Sequence, residues 1–166
     1  QQRFNIAPTQ IVPTVIETGK GNELHGYRWG LIPHWAKDKS IGNKLINARA
    51  ETVHEKPSFR KSFKTQRCLI PADGFIEWKK QGKEKYPHYI SLKSDAVFAF
   101  AGIWAEWRME EEVIRSCCII TTEANFYLQP IHNRMPVILN PEDYSIWLAP
   151  VEKTETLRSL LRPFPE

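Results

Sequence analysis

A single α+β domain is predicted, dominated by antiparallel or mixed sheet curled into a barrel-like core, with helices packed outside it. Three observations lead there. The chain has 166 residues, of which 42% are hydrophobic, enough for one sizeable core and the length of one domain. Its apolar segments are short, rich in β-branched and aromatic residues and separated by turn residues, which is the pattern of strands. Only three stretches carry helical spacing or helix caps.

In chain order, the expected strands are residues 11–17 (IVPTVIE), 25–32 (HGYRWGLI), 67–70 (RCLI), 74–79 (GFIEWK), 88–92 (HYISL), 96–107 (AVFAFAGIWAEW), 113–122 (VIRSCCIITT) and 135–139 (MPVIL). Gly19 to Asn22, Asp73-Gly74 and the polar KKQGKEK run supply the turns. A first helix is expected after Pro57, where Phe59 and Phe63 lie four apart and Arg60, Lys61 and Lys64 fall on other faces. A second starts at Asn140 as N-cap, with Pro141 at N1 and Glu142 and Asp143 in the first turn, and runs through Trp147. The third is TETLRSLLR, capped by Thr154 and ended by Pro163. Repeats, low-complexity segments and obvious linkers are absent.

Lys and Arg outnumber Asp and Glu by 23 to 19, a mild bias compatible both with an ordinary surface and with a polyanionic partner. No apolar run approaches the roughly 20 residues of a membrane helix, so no membrane association is expected. Cys68, Cys117 and Cys118 have no C-x-x-C spacing and sit in apolar runs. They suit a reducing, cytoplasmic setting rather than a disulfide framework. Cys117 and Cys118 are adjacent, so on a strand they face opposite ways and share a metal ion poorly; neither metal nor cofactor is expected.

Polar residues that interrupt the apolar pattern are the informative ones. They fall in INARAET (46–52), FIEW (75–78) and IHNRMPVI (131–138). Glu77 shares strand parity with Phe75 and Lys79 and opposes Ile76 and Trp78. Its plainer reading is a solvated strand face, and that of His132 is a turn histidine just past Pro130. The sharper reading brings Asn47, Glu77 and His132 into one semi-enclosed pocket. There a carboxylate and an imidazole exchange protons near neutral pH and an amide orients the reacting group. Arg3, Arg28, Arg49 and Arg134 lie beside these segments, and tryptophans are plentiful. Arginines with exposed aromatic platforms are what single-stranded nucleic acid requires. Trp29, Trp104 and Trp107 read as core, whereas Trp35, in a Pro-His-Trp-Ala-Lys turn, reads as exposed.

Taken in order, RFNIAPTQ, RWGLIPHWAKD, INARAETV, RCLIPADGFIEWK, FAGIWAEW, IITTEAN and IHNRMPVIL resemble the SOS response-associated peptidase (SRAP) family through nearly the whole chain. The resemblance implies recognition of abasic sites in single-stranded DNA and covalent linkage to them through an N-terminal cysteine, together with autoproteolytic release of the residue before that cysteine. It implies that Asn47 positions the cysteine amine or the sugar, that Glu77 moves protons at the amine, and that His132 assists opening of the sugar ring. It further implies Arg49 and Arg134 at phosphates, Thr121 as a hydroxyl donor, Trp35 near the splayed strand, and Asn5 and Pro8 along the pocket. A monomer is expected.

Two departures qualify the resemblance. Family members begin Met-Cys-Gly-Arg-Phe some tens of residues before the equivalent of RFNIAP, whereas this sequence opens at Gln1; it also ends at RPFPE, ahead of the family's usual closing segment. The nucleophile therefore lies outside these 166 residues, and none of the three internal cysteines has a free α-amine to replace it. The expectation is a portion of a longer protein. The alternatives are a degenerate relative that binds single-stranded DNA without crosslinking, and a thiol hydrolase pairing Cys118 with His132. Asn133 also stands where an acidic residue commonly follows the histidine.

Overall fold

The computed structural model describes residues 3–165; Gln1, Gln2 and Glu166 lie outside the described residues. In chain order the elements are β1 (Ile11–Glu17), β2 (Asn22–Trp29), a 3-10 turn (Lys39–Asn43), β3 (Asn47–Arg49), α1 (Arg60–Thr65), β4 (Arg67–Ala72), β5 (Phe75–Gln81), β6 (Glu84–Ile90), β7 (Phe98–Met109), β8 (Glu112–Glu123), β9 (Arg134–Pro136), β10 (Ile138–Leu139), a 3-10 turn (Pro141–Asp143), α2 (Tyr144–Leu148) and α3 (Thr154–Ser159).

Five strands close on themselves. β1 runs antiparallel to β2, β2 parallel to β8, β8 antiparallel to β7, β7 antiparallel to β4, and β4 antiparallel to β1. Closure leaves these strands without a continuous free edge. The single α+β domain with a curled mixed sheet expected from the sequence is what forms. Alternation along the strands divides the core in two. Val12, Ile16, Tyr27, Cys68, Ile70, Phe100 and Cys117 come from all five ring strands and fill the barrel. Leu69, Ala101, Ile103, Cys118 and Ile120 point the other way and pack outside it with Phe63 of α1, Trp147 of α2 and Leu157 of α3.

Two of the helices, α1 and α2, attach through one buried cation. Arg67 donates from Nε to the Trp147 carbonyl at 2.7 Å, from Nη1 to the Phe63 and Lys64 carbonyls at 2.8 and 2.6 Å, and from Nη2 to the Ala149 carbonyl. Those carbonyls close the C-terminal turns of α1 and α2, where a positive charge is favoured. Trp147 Nε1 donates to the Cys68 carbonyl at 3.0 Å, so α2 is also tied directly to β4.

The helices are shorter than expected. α1 begins at Arg60 rather than at Pro57, because Thr52 to Phe59 form successive tight turns. Asn140 makes no side-chain capping bond, and Pro141 opens a 3-10 turn ahead of α2. Thr154 lies inside α3 with Lys153 at its cap, and the chain beyond Ser159 tightens into bonds from Leu160 to Leu157 and Leu161 to Arg158. β3 is an addition to the expected strands, and the expected 135–139 strand divides at Val137. That residue donates to Ile120 and accepts from Ala101, so the chain passes from β8 to β7 there. Trp107 is buried in the core as expected, while Trp29 and Trp104 are only partly buried against it.

All three cysteines are buried and free. Burial raises the thiols of Cys68 and Cys118 well above their ordinary range and pushes that of Cys117 up to about 12. Cys118 lies among Ile120, Trp147 and Leu157, which contradicts its use as a hydrolase nucleophile: a desolvated, protonated thiol does not attack.

Two outcomes follow. Arg67→Met, which keeps much of the volume but removes every donor, should cost about 3 kcal/mol in a denaturant titration; unchanged stability would refute the anchoring role. The thiols ionise in the unfolded chain from near pH 9 but stay protonated in the folded one, so the stability they contribute is complete below that pH and drains away as pH rises toward 12. Urea melts should show this decline, and it should be shallower in Cys117→Ala.

Candidate active site

Beyond Ile119, β8 leaves its barrel partners and gains new ones. β3 pairs parallel with Ile119 to Thr121, and β9 antiparallel with Thr121 to Glu123. Strand parity then decides which side chains meet. Ala48 and Ile120 turn into the outer core, while Asn47, Arg49 and Thr121 take the opposite face. Arg134 and Pro136, facing Glu123 and Thr121 across the other edge, share that face.

The separate hairpin of β5 and β6 forms the facing wall. Gln81 pairs with Glu84 around a two-residue Gly82-Lys83 loop, and Gly82 adopts φ +62°, as a type II′ turn requires at that position. Counting from this turn puts Trp78 and Pro87 at a non-hydrogen-bonded pair. The missing N–H of Pro87 is therefore not needed there, and the Trp78 N–H is free to donate to Glu77 Oε1 at 3.0 Å. Phe75 attaches the hairpin to the barrel edge-on to Phe100, with ring centroids 5.8 Å apart. At its base, a Cβ on Gly74 would lie 2.4 Å from the Tyr89 ring, so only glycine lets the ring close over the backbone.

Between these walls lies a half-open cavity of about 1260 Å³ at the mouth of the barrel. Asn47, Glu77 and His132 all line it, as do Arg49, Arg134, Thr121, Asn5 and Pro8. Its floor is the end of the barrel core, with Trp29, Ile70, Phe100 and Ile119. Three guanidinium groups, Arg3, Arg49 and Arg134, face two carboxylates, Asp73 and Glu77, so the lining carries a positive balance suited to an anion.

Each polar group is held in a defined way. His132 is fixed by a loop in which Leu128 N–H donates to Asn125 Oδ1 at 3.0 Å and His132 N–H to the Leu128 carbonyl at 3.0 Å. Its Nδ1 lies 3.0 Å from the Arg134 N–H and 3.3 Å from the Arg134 carbonyl, accepting from the first when unprotonated and donating to the second when protonated, so both bonds to the ring are made at Nδ1 and Nε2 is left for the cavity. Arg134 donates from Nη2 to the Thr121 carbonyl at 2.8 Å. Arg3 is braced against Gln10 Oε1 at 2.9 Å and the Ile11 carbonyl. Glu77 is half-buried on the inner side of its strand, whereas Ile76 and Trp78 are 40% and 49% exposed. Ile76 and Trp78 are thus the more exposed members of this strand, and the carboxylate shares the inner side with Phe75.

Trp35 stands apart from the lining. It is exposed, with Nε1 3.4 Å from the Pro57 carbonyl. Its turn is pinned where the Ala36 carbonyl accepts from Trp107 Nε1 at 2.7 Å, well along β7 from cavity-lining Phe100. Asn133 is exposed and contributes its backbone carbonyl, to Ala124 N–H at 3.0 Å. Sequence reasoning missed Asp73, Phe4, Tyr89 and Val97 in the lining. It also missed Glu51, whose carboxylate pairs with Arg134. The inverted burial of β5 was the one available signal for the hairpin, and it is visible only once the inner face is known. Among the described residues no group of three or more His, Cys, Asp or Glu is arranged to hold a metal ion, and no helix is long and apolar enough to cross a membrane.

A small closed barrel whose mouth joins a carboxylate, an imidazole and an amide to a cationic rim has the make-up of a candidate site for acid–base chemistry on an anionic substrate. The comparisons narrow it: residues 1–166 match the family model described as SOS response associated peptidase (SRAP), and the chain belongs to that family. It is 51% identical over 164 residues to the abasic site processing protein YoqW of Bacillus subtilis, spanning 97% of this chain and 73% of the relative. It is 32% identical over 146 residues to the abasic site processing protein YedK of Escherichia coli, spanning 88% and 64%. A crystal structure of a protein from Bacteroides thetaiotaomicron superposes with a TM-score of 0.86 at 34% identity, over 95% of this chain and 70% of that one.

The geometry at the hairpin base has a direct test. Gly74→Ala should push aside the tip of the exposed Tyr89 ring at a cost of about 1 kcal/mol, and that cost should vanish in a Tyr89→Ala background. Equal costs in both backgrounds would show that the ring is not what the glycine accommodates.

Proposed function

We propose that this cavity receives an abasic site in single-stranded DNA and processes it by covalent capture. The observation that carries this reading is the convergence of Asn47, Glu77 and His132 in one cavity rimmed by Arg49 and Arg134. The names of the relatives support the same lesion. The open-chain abasic sugar presents an aldehyde. The α-amine of an N-terminal cysteine condenses with it to a Schiff base, releasing water, and the thiolate of the same residue then adds to the imine carbon to close a thiazolidine. On this reading the nucleophile is an N-terminal cysteine, and Asn47, Glu77 and His132 supply the pocket that receives it.

Asn47 orients the amine or the sugar. Glu77, whose carboxylate accepts from Trp78 N–H, accepts the proton the amine gives up and returns one to the departing water. His132 acts as the imidazolium, with Nδ1–H toward the Arg134 carbonyl 3.3 Å away, and gives its Nε2 proton to the ring oxygen as the sugar opens, returning to the neutral ring. Glu77 and His132 would also serve in autoproteolytic release of the residue preceding the cysteine. Arg49 and Arg134 take backbone phosphates and Thr121 donates a hydroxyl, so binding is independent of base sequence and falls with salt. The condensation needs an amine, a thiol and proton carriers, without cofactor or metal. The reading places a monomer in the cytoplasm, nucleoid-associated when bound to DNA.

The test is a denaturing gel of the full-length natural polypeptide incubated with a single-stranded oligonucleotide carrying one abasic site. A heat-resistant shifted band is expected. Its rate of formation should fall about 10²-fold or more in Glu77→Gln and in His132→Ala, with noncovalent binding retained. Reversible binding without any such band would leave a DNA-binding module and overturn the enzymatic reading.

A further inference from the structure

One acidic residue opposes the rim. Glu51, in the turn that follows β3, places its two carboxylate oxygens on Nη1 and Nη2 of Arg134 at 2.8 and 3.0 Å. This two-bond fork is the geometry a phosphate would use on the same guanidinium. The pair sits at the surface: the Glu51 side chain is 52% exposed and the Arg134 side chain 22%. Arg134 does not need Glu51 to hold its place, because Nη2 also donates to the Thr121 carbonyl at 2.8 Å and lies 3.4 Å from Thr121 Oγ1. Its Nε is buried without a partner. The forked edge of the guanidinium is thus already filled by an anion of the protein itself.

We propose that Glu51 is an internal competitor for the DNA phosphate at Arg134, a specificity-determining residue that a bound strand must displace. This rests on the reading of the cavity as a site for single-stranded DNA. The bond that breaks is the Glu51 carboxylate to Arg134, and the one that forms is phosphate to Arg134, with Glu51 moving into solvent. The displacement weakens every reversible complex, intact strands included. Covalent capture of an aldehyde, once made, is not undone by it. Glu51 therefore shortens residence on undamaged DNA while sparing captured lesions. Its carboxyl is held below the ordinary range chiefly by the hydrogen bond from Arg134, with Arg49 adding a smaller attraction, so the competitor stays charged.

The experiment measures binding of an intact single-stranded oligonucleotide across a salt series for the wild type, Glu51→Gln, Arg134→Ala and the double variant, using the full-length polypeptide. Glu51→Gln preserves shape and removes the charge. It should bind about fivefold more tightly at low salt, and the gain should shrink as salt rises, because the charge of Glu51 that the strand works against is screened. The gain should vanish when Arg134 is also replaced. Weaker or unchanged binding by Glu51→Gln, or a gain that persists without Arg134, overturns the proposal. If Arg134→Ala weakens binding while Glu51→Gln gains nothing, only the competitor role fails. If Arg134→Ala binds as the wild type does, the assignment of Arg134 to phosphate fails, and this inference with it.

Discussion

Strand β8 hydrogen-bonds to four other strands, and the rest of the molecule depends on that. Its first part closes the barrel between β7 and β2, and its last residues, beyond the closure, carry β3 and β9 on opposite edges. Both faces of such a strand are buried, which is why its centre, CCII (117–120), is a continuous apolar run rather than alternating. Cys117 enters the barrel and Cys118 the outer core. A one-residue slip of β8 would exchange the two cores and turn Asn47, Arg49 and Arg134 away from the cavity. Fold and site are therefore specified by the same register.

The site is built by extending barrel strands past the point where the barrel needs them. Apolar side chains that end the core become the floor, and polar side chains from β3, β8 and β9 become the rim. Because β8 is bonded along both edges here, by β3 on one side and β9 on the other, the rim is more rigid than a loop would be, which suits proton transfer between fixed groups. The hairpin opposite shares no strand pairing with the barrel and is attached through side chains, Phe75 against Phe100 and, with Ile90, against Ala124, Leu128 and Met135. It brings Glu77 without belonging to the barrel, so the carboxylate sits on the wall freest to adjust to a bound strand.

Much of this was legible in the sequence, for reasons that can be located. β1 coincides with its expected span, and β7 and β8 differ from theirs by a residue or two, since long β-branched and aromatic runs announce themselves. β3 was not legible: Asn-Ala-Arg has no strand signature, and only pairing with β8 makes it one. β6 begins earlier than expected because most of the polar KKQGKEK run is strand, the turn itself being confined to Gly82-Lys83. The candidate residues could be chosen as polar interruptions of apolar segments, but that Asn47, Glu77 and His132 line one cavity is a tertiary fact. Trp35 was chosen for its exposure, correctly, yet exposure does not say which face a residue serves. Glu51 escaped notice because a glutamate beside an arginine-bearing strand looks like ordinary surface until Arg134 arrives from far along the chain.

The central claim, that the barrel mouth is where the damaged strand lies, is tested most directly by mapping amide chemical shifts as the labelled protein is titrated with a single-stranded oligonucleotide carrying a tetrahydrofuran abasic analogue, which cannot react. Shifts should gather on Asn47, Arg49, Thr121, His132, Arg134 and the β5 residues around Glu77. Shifts gathered instead on the basic face of α1, at Arg60, Lys61 and Lys64, with the cavity unmoved, would contradict it.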